Sequence, residues 1–243
     1  SWPCSIPDPA PMRLDAPLLE ARFKRRYQRF FVECELPGGE LLTAHCANTG
    51  SLAGCLEPGA PVWLRDSRDE TRKLRYSFQA IRCAGAWVNV DTSLPNPAVA
   101  EAVAAGRIPE LAGYPSLRRE VRYGTNSRID LLLEAPGRPA CYVEVKNTTL
   151  ALGREARFPD AVTERGRKHL GELSEVVRQG ARAVQFFFVS RGDVERFAPA
   201  DDIDPAYGRP LRAAADAGVE LLAYTARVTP TDLEVDRRLP IAL

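Results

Sequence analysis

Two short apolar runs separated by a proline–glycine turn constrain this chain more than any other feature. Ser127-Arg128-Ile129-Asp130-Leu131-Leu132-Leu133 and Ala140-Cys141-Tyr142-Val143-Glu144-Val145-Lys146 flank Ala135-Pro136-Gly137-Arg138-Pro139 and read as two strands of a hairpin. Side chains alternate along a strand, so Glu144 and Lys146 share one face while Val143 and Val145 take the other. A hairpin then sets Asp130 beside Glu144, with the Lys146 ammonium one step further on. Two carboxylates and a lysine at a strand end suit metal-assisted phosphodiester hydrolysis.

Mg²⁺ prefers hard oxygen ligands and keeps several waters, so one or two carboxylates plus a substrate phosphate suffice. Asp130 and Glu144 are therefore the expected ligands of Mg²⁺ or Mn²⁺. Lys146 is the residue expected to orient the attacking water or stabilise a crowded phosphate. Glu120, in the preceding run Leu117-Arg118-Arg119-Glu120-Val121-Arg122-Tyr123, is a candidate third carboxylate. The competing reading is an alternating strand with a solvated ion pair. Lysine is scarce: Lys24, Lys73, Lys146 and Lys168 are 4 of the 33 basic residues. By chance the chain would still show roughly half an acid-x-lysine match, so the tripeptide alone proves little. What raises it is that the acids lie on successive strand-like runs, and that lysine stands where an ammonium would matter in a chain that otherwise uses arginine.

A net charge of +1 over 243 residues does not announce a nucleic-acid partner. The distribution is more telling. Residues 13–82 carry a net +3, residues 107–182 a net +4 and residues 183–243 a net −3, so a polyanion is attracted locally. Arg22-Phe23-Lys24-Arg25-Arg26-Tyr27-Gln28-Arg29-Phe30-Phe31 interleaves cations with aromatics, a pattern suited to phosphate contact and base stacking. Lys24, Arg25, Arg26, Tyr27 and Arg29 are its candidate contacts. A strand must bury one face, so half of these aromatics are equally readable as core. Arg165, Lys168 and His169 fall on neighbouring turns of one helical stretch and are candidates to meet nucleic-acid phosphate near the metal. The alternative for them is the wet face of an amphipathic helix. Asn48-Thr49-Gly50-Ser51 is a polar turn with no chemistry assigned.

No apolar stretch is long enough to span a bilayer, and Ser1-Trp2-Pro3-Cys4 lacks the basic start of a secretory signal, so the expectation is a cytoplasmic protein without a membrane partner. Cysteines at 4, 34, 46, 55, 83 and 141 form no C-x-x-C pair, and His45 and His169 are the only histidines, which argues against a zinc module. Residues 1–11, proline-rich and ending before the single methionine Met12, read as a disordered leader or a start-site artefact. Residues 12–92 read as a small OB-like barrel. Its expected strands are Arg26–Leu36, Glu40–Cys46, Ala60–Arg65, Leu74–Cys83 and Ala86–Asp91. Residues 93–243 read as mixed α/β, starting with a helix capped by Asn96 with Pro97 at its first position. Helices over 160–177 and 205–217, a central strand over 183–189 and a strand over 219–227 are expected after the hairpin.

With these blocks assembled, the chain resembles the sugar fermentation stimulation protein A family from Met12 to Leu243. The resemblance rests on His45-Cys46-Ala47-Asn48-Thr49-Gly50, Glu120-Val121-Arg122-Tyr123-Gly124, Ser127-Arg128-Ile129-Asp130, Tyr142-Val143-Glu144-Val145-Lys146 and Phe158-Pro159-Asp160-Ala161-Val162-Thr163-Glu164-Arg165-Gly166. Ala47 stands where proline is expected, and Asn147 where serine is usual. The resemblance implies an N-terminal OB-like barrel and a C-terminal PD-(D/E)xK, restriction-endonuclease-like α/β domain. It also implies sequence-nonspecific DNA binding and a regulatory role in sugar metabolism. The nuclease pattern falls on Asp130, Glu144 and Lys146, with Glu120 and Glu101 as accessory acids. Whether the chain cleaves, or is a non-cleaving DNA-binding regulator that uses a nuclease fold as a clamp, stays open. So does the oligomeric state, with a homodimer among the options.

Overall fold

A computed structural model describes residues 13–14, 18–124 and 127–243; the expected leader over residues 1–11 lies outside them. The fold is mixed α/β, an OB barrel followed by a restriction-endonuclease-like domain.

The barrel strands are β1 (Leu18–Tyr27), β2 (Phe31–Glu35), β3 (Leu41–His45), β4 (Pro61–Asp66), β5 (Tyr76–Cys83) and β6 (Ala86–Asn89). They pair in the order β3-β2-β1-β4-β5-β6, and a parallel contact between His45 and Ser77 closes β3 onto β5. Phe23, Val32, Cys34, Ala44, Leu64, Phe78 and Ile81 fill the interior. The sequence predicts one strand from Arg26 to Leu36. Instead the chain turns at residues 28–30 and makes a hairpin, with β1 beginning eight residues earlier than expected. The turn carries no glycine or proline; Gln28 and Arg29 adopt φ of 48° and 62°, a region seldom used outside glycine. Without the usual punctuation, the turn left no mark in the composition.

The second domain contains α1 (Pro95–Ala104), β7 (Ser116–Tyr123), β8 (Ser127–Glu134), β9 (Cys141–Thr148), β10 (Ala151–Leu152), β11 (Glu155–Phe158), α2 (Glu164–Arg178), β12 (Arg182–Val189), β13 (Arg196–Pro199), α3 (Pro205–Asp216), β14 (Glu220–Val228) and β15 (Leu233–Arg238). Its main sheet runs β15-β14-β12-β9-β8-β7, and β10, β11 and β13 form a smaller one. β12 lies parallel between β9 and β14, which explains its continuous apolar run: both faces are covered. Val143, Val145, Phe186 and Phe188 pack towards α1, whereas Ala183, Phe187 and Val189 pack towards α2 and α3. Glu144 and Lys146, alternating with Val143 and Val145, consequently face α2. That helix starts at Glu164, four residues later than the sequence suggests, and is capped by Thr163, whose hydroxyl accepts from the Gly166 N–H at 3.1 Å. α1 starts at Pro95 after Leu94, so Asn96 lies inside its first turn and is not its cap.

Polar contacts join the two domains. Ser51 Oγ donates to the Asp160 carbonyl at 2.7 Å, and the Leu52 N–H donates to the Asp160 carboxylate at 3.0 Å. The Asn89 N–H donates to the Ser190 carbonyl at 2.9 Å. Arg26 braces the barrel side of this clasp, donating to the carbonyls of Arg29, Asn48 and Gly50 at 2.8, 2.5 and 2.8 Å. The Asn48–Ser51 turn thus acquires a role: it receives the second domain. Gly50 is required there, since a Cβ would lie 2.7 Å from both Asp160 carboxylate oxygens and 3.0 Å from Asn48 Oδ1. Gly50→Ala is expected to lower unfolding stability by about 1–3 kcal/mol, the range for overpacking a close contact. In an Asp160→Ala background the added cost should shrink, because the obstructing carboxylate is gone. Urea denaturation of the four proteins checks this; strictly additive losses would contradict the clasp.

Candidate active site

The ladder between β8 and β9 pairs Leu133 with Cys141, Leu132 with Tyr142 and Leu131 with Val143, and stops there. The next pair in register would be Asp130 with Glu144. Instead the strands part, and Asp130 Oδ2 accepts the Val145 N–H at 2.7 Å, satisfying a donor the ladder abandons. Asp130 Oδ1 accepts from Asn96 Nδ2 at 2.6 Å. The strand changes face at this point: Ile129 packs with the α2–α3 layer, whereas Leu131 packs with the α1 layer. Opposite Asp130 in the β7–β8 register stands Glu120, with φ of 54°. Such a conformation is strained for a residue with a side chain.

Glu144 is 3% exposed and His169 4% exposed. Glu144 Oε1 accepts from Lys146 Nζ at 2.6 Å and bonds His169 Nδ1. Arg165 Nε lies 3.4 Å from His169 Nε2. With Arg165 as donor, Nε2 is the bare nitrogen, so the network assigns the ring proton to Nδ1, directed at Glu144. The 3.1 Å approach of Lys146 Nζ to Nδ1 is then a crowding of two donors around one oxygen. Burial opposes the Glu144 charge, but the His169 hydrogen bond and the Lys146 charge outweigh it and hold the carboxyl below its ordinary value. Asp130 goes the other way. Burial, and then the negative charge of Glu144, push it up to about 6.

Glu144 Oε2 is buried without a hydrogen-bond partner, as are the hydroxyls of Tyr123 and Tyr207. Burial, reinforced by the Glu144 charge, raises both phenols. Polar groups left this way beside a carboxylate pair are where a hydrated cation is accommodated. Among the described residues, no group of three or more His, Cys, Asp or Glu side chains is arranged to hold a metal, so any ion here depends on the two acids and water.

Asp130, Glu144 and Lys146 come together as the sequence suggests. Glu120 is exposed and makes no hydrogen bond or ion pair among the described residues; Glu101 pairs with Arg107. Of the residues proposed to contact nucleic acid, Lys24 pairs with Glu35 at 2.6 Å and Arg25 with Glu33 at 3.1 Å. Tyr27 stacks on Phe31, Arg26 holds the interdomain turn, and Arg29 projects from the hairpin tip. Arg165 and Lys168 are exposed on α2, Lys168 within 3.6 Å of Glu172. His169 is buried and faces inward onto Glu144. The sequence singled out neither Tyr123 nor Tyr207 for this site, and it read Asn96 as a helix cap. A cleft of about 800 Å³ between the domains is lined by Arg26, Arg29, Gly50, Asp160 and Thr163 and includes none of the three central residues.

Comparison with known proteins agrees over nearly the whole chain. A family model described as the sugar fermentation stimulation protein RE domain matches residues 93–232, and one described as the SfsA N-terminal OB domain matches residues 25–90. A sugar fermentation stimulation protein homolog from Geobacter sulfurreducens is 54% identical over 230 residues, covering 95% of this chain and 98% of the relative. A homolog from Maricaulis maris is 51% identical, covering 96% and 99%. The structure of Pyrococcus furiosus SfsA in complex with Ca²⁺ is similar at a TM-score of 0.85 and 29% identity, covering 96% of this chain and 98% of that one.

The shifted Asp130 carboxyl has a measurable consequence. Folding strengthens its hold on a proton, so the stability it contributes is complete below about pH 4 and lost as pH rises through about 6. The depressed Glu144 carboxyl acts oppositely, and its contribution is lost as pH falls below the ordinary carboxylate range. Asp130→Asn keeps the hydrogen bonds if the Asn96 amide turns over. It is expected to exceed the wild type in stability above pH 6 by about 1–2 kcal/mol. Denaturation across pH 4–8 checks it; a variant weaker than wild type at pH 7, with an unchanged slope between pH 4 and 6, would refute the assignment.

Proposed function

The chain belongs to the sugar fermentation stimulation protein family, and on that premise we propose that it is a nucleic-acid-binding protein, acting on DNA, with a divalent-metal-dependent phosphodiesterase centre. The proposed division is a barrel over residues 12–92 that contributes nucleic-acid contacts and a domain over residues 93–243 that carries the chemistry. Asp130 and Glu144 would hold Mg²⁺ or Mn²⁺. The observation that carries this reading is the unpartnered, buried Glu144 Oε2 beside an Asp130 carboxyl that burial, and then the Glu144 charge, push upward. Two carboxylates in mutual repulsion, with an oxygen left over, match the hard-oxygen donor set of Mg²⁺ and Ca²⁺. The Ca²⁺ complex of the Pyrococcus furiosus relative supports the same reading.

When bound, the cation supplies Lewis acidity toward a phosphodiester and its attacking water. The residues do the rest. Asn96 and the Val145 N–H hold Asp130 in the opened ladder. His169 fixes the Glu144 rotamer, and Arg165 fixes the His169 ring. Lys146, whose side chain is 13% exposed, orients water or offsets charge on the phosphate as a compact cation. The second reading is a non-cleaving regulator that clamps DNA. Its support is that Glu144 Oε1 already bonds both Lys146 and His169, which leaves the lysine engaged.

Mn²⁺ titration by calorimetry and incubation with plasmid and single-stranded DNA separate the two. Wild type is expected to bind Mn²⁺, Asp130→Asn and Glu144→Gln to lose at least tenfold in affinity, and Lys146→Ala to keep the ion while cutting falls by 10²-fold or more. Metal binding without cutting on any substrate would favour the clamp. Equal Mn²⁺ affinity in all four proteins would remove the metal centre altogether.

A further inference from the structure

The β7–β8 hairpin that delivers Asp130 carries an arrangement that protein stability does not favour. Arg122 and Arg128 are directly opposed across the two strands. Residues so paired have Cβ atoms about 5 Å apart, and like charges there repel. Both arginines are exposed, and neither makes a hydrogen bond or ion pair among the described residues. On the same hairpin Arg118, by contrast, is paired with Glu134 at 2.8 Å. Arg122 and Arg128 also line a depression of about 450 Å³ with Tyr123, Gly124 and Ser127.

Their position links them to the chemistry. Arg128 precedes Asp130 by two residues, about 7 Å along the strand. Val121 and Ile129 both pack towards α2, so the intervening arginines project from the opposite side of the hairpin, the side from which Asn96 of α1 reaches Asp130. Guanidinium groups match phosphate in a planar, two-pronged fashion, and an anion seated between them would cancel the repulsion.

We propose that Arg122 and Arg128 form a phosphate clamp that grips the nucleic-acid backbone beside the one presented to Asp130 and Glu144. The proposal rests on the nucleic-acid reading above and adds a contact that neither the sequence patterns nor the aromatic-basic strand of the barrel indicates. The ligand is a backbone phosphodiester of a strand running along the hairpin, and the cross-strand repulsion is the cost retained for holding it.

Fluorescence anisotropy with a labelled duplex oligonucleotide over a salt series tests this on wild type, Arg122→Gln, Arg128→Gln and the double variant. Each substitution is expected to make the slope of log affinity against log salt shallower by about 0.9, the effect of one lost phosphate contact. Melting temperature at low salt should stay level or rise in the variants, because the repulsion is relieved; a purely structural pair would melt earlier. Inorganic phosphate at matched ionic strength should compete no better than chloride; strong competition would make this a free-anion site and overturn the strand contact. Unchanged salt slopes, or lower melting without loss of binding, would also overturn it. Mn²⁺ binding in the same variants separates this proposal from the metal centre. Normal Mn²⁺ affinity with unchanged slopes sinks the clamp alone, whereas shallower slopes without Mn²⁺ binding sink the metal centre alone.

Discussion

The second domain turns on one buried carboxylate. Glu144 sits on a strand held on one side by parallel β12 and left unpaired on the other beyond Val143. A charge taken this far from water is costly unless hydrogen-bonded and paired. His169 and Lys146 supply that compensation, but both use the same oxygen; the other is buried without a partner, and Asp130 occupies the gap where the ladder opens. The opened ladder, the upward shift of the Asp130 carboxyl and the turn of β8 between two helical layers all centre on that gap. Replacing Glu144 by an apolar residue of similar size would relieve the desolvation cost and also erase the reason for the gap.

The interdomain clasp places a second constraint on the molecule. Asp160 lies four residues before α2, the helix that carries Arg165 and His169. The barrel turn that receives Asp160 is braced by Arg26. The same short segment therefore docks the barrel and aims the helix that supports Glu144. A shift at the Gly50 contact would be transmitted to the start of that helix. The aromatic-basic strand of the barrel is accordingly committed largely to internal contacts. Arg26 is a structural brace, and Lys24 and Arg25 are paired across the strand surface. Arg29, at the tip of a strained hairpin, is the member of the set left to reach outward.

Much of this was legible in the sequence. Alternation placed Glu144 and Lys146 on one face, and the unbroken apolar run of β12 marked it as central. What escaped had physical causes. The β1–β2 turn uses Gln28 and Arg29 at positive φ, so no glycine announced it. Asn96, preceding a proline at a helix start, carried the pattern of a cap, yet its amide is drawn to Asp130 in a neighbouring element. His169 was grouped with Arg165 and Lys168 by helical spacing, which fixes a side of the helix but cannot say how deep each side chain lies. Glu120 stands where the strand register puts it, opposite Asp130, but its backbone turns its side chain to solvent. The Arg122–Arg128 pair is invisible without a register, because the two residues are six apart and meet only across a hairpin.

Under the proposed function, Asp130 and Glu144 are a charge-frustrated pair that a divalent cation would relieve. Carbon-detected NMR of side-chain carboxyls, with the Asp130 signal assigned by its disappearance in Asp130→Asn, tests this directly. In metal-free protein Asp130 should titrate near pH 6. With saturating Mg²⁺ its midpoint should fall below the ordinary aspartate range, because the ion stabilises the charged form. A midpoint that begins in the ordinary range, or that stays put when Mg²⁺ is added, would mean that the two carboxyls do not share a cation.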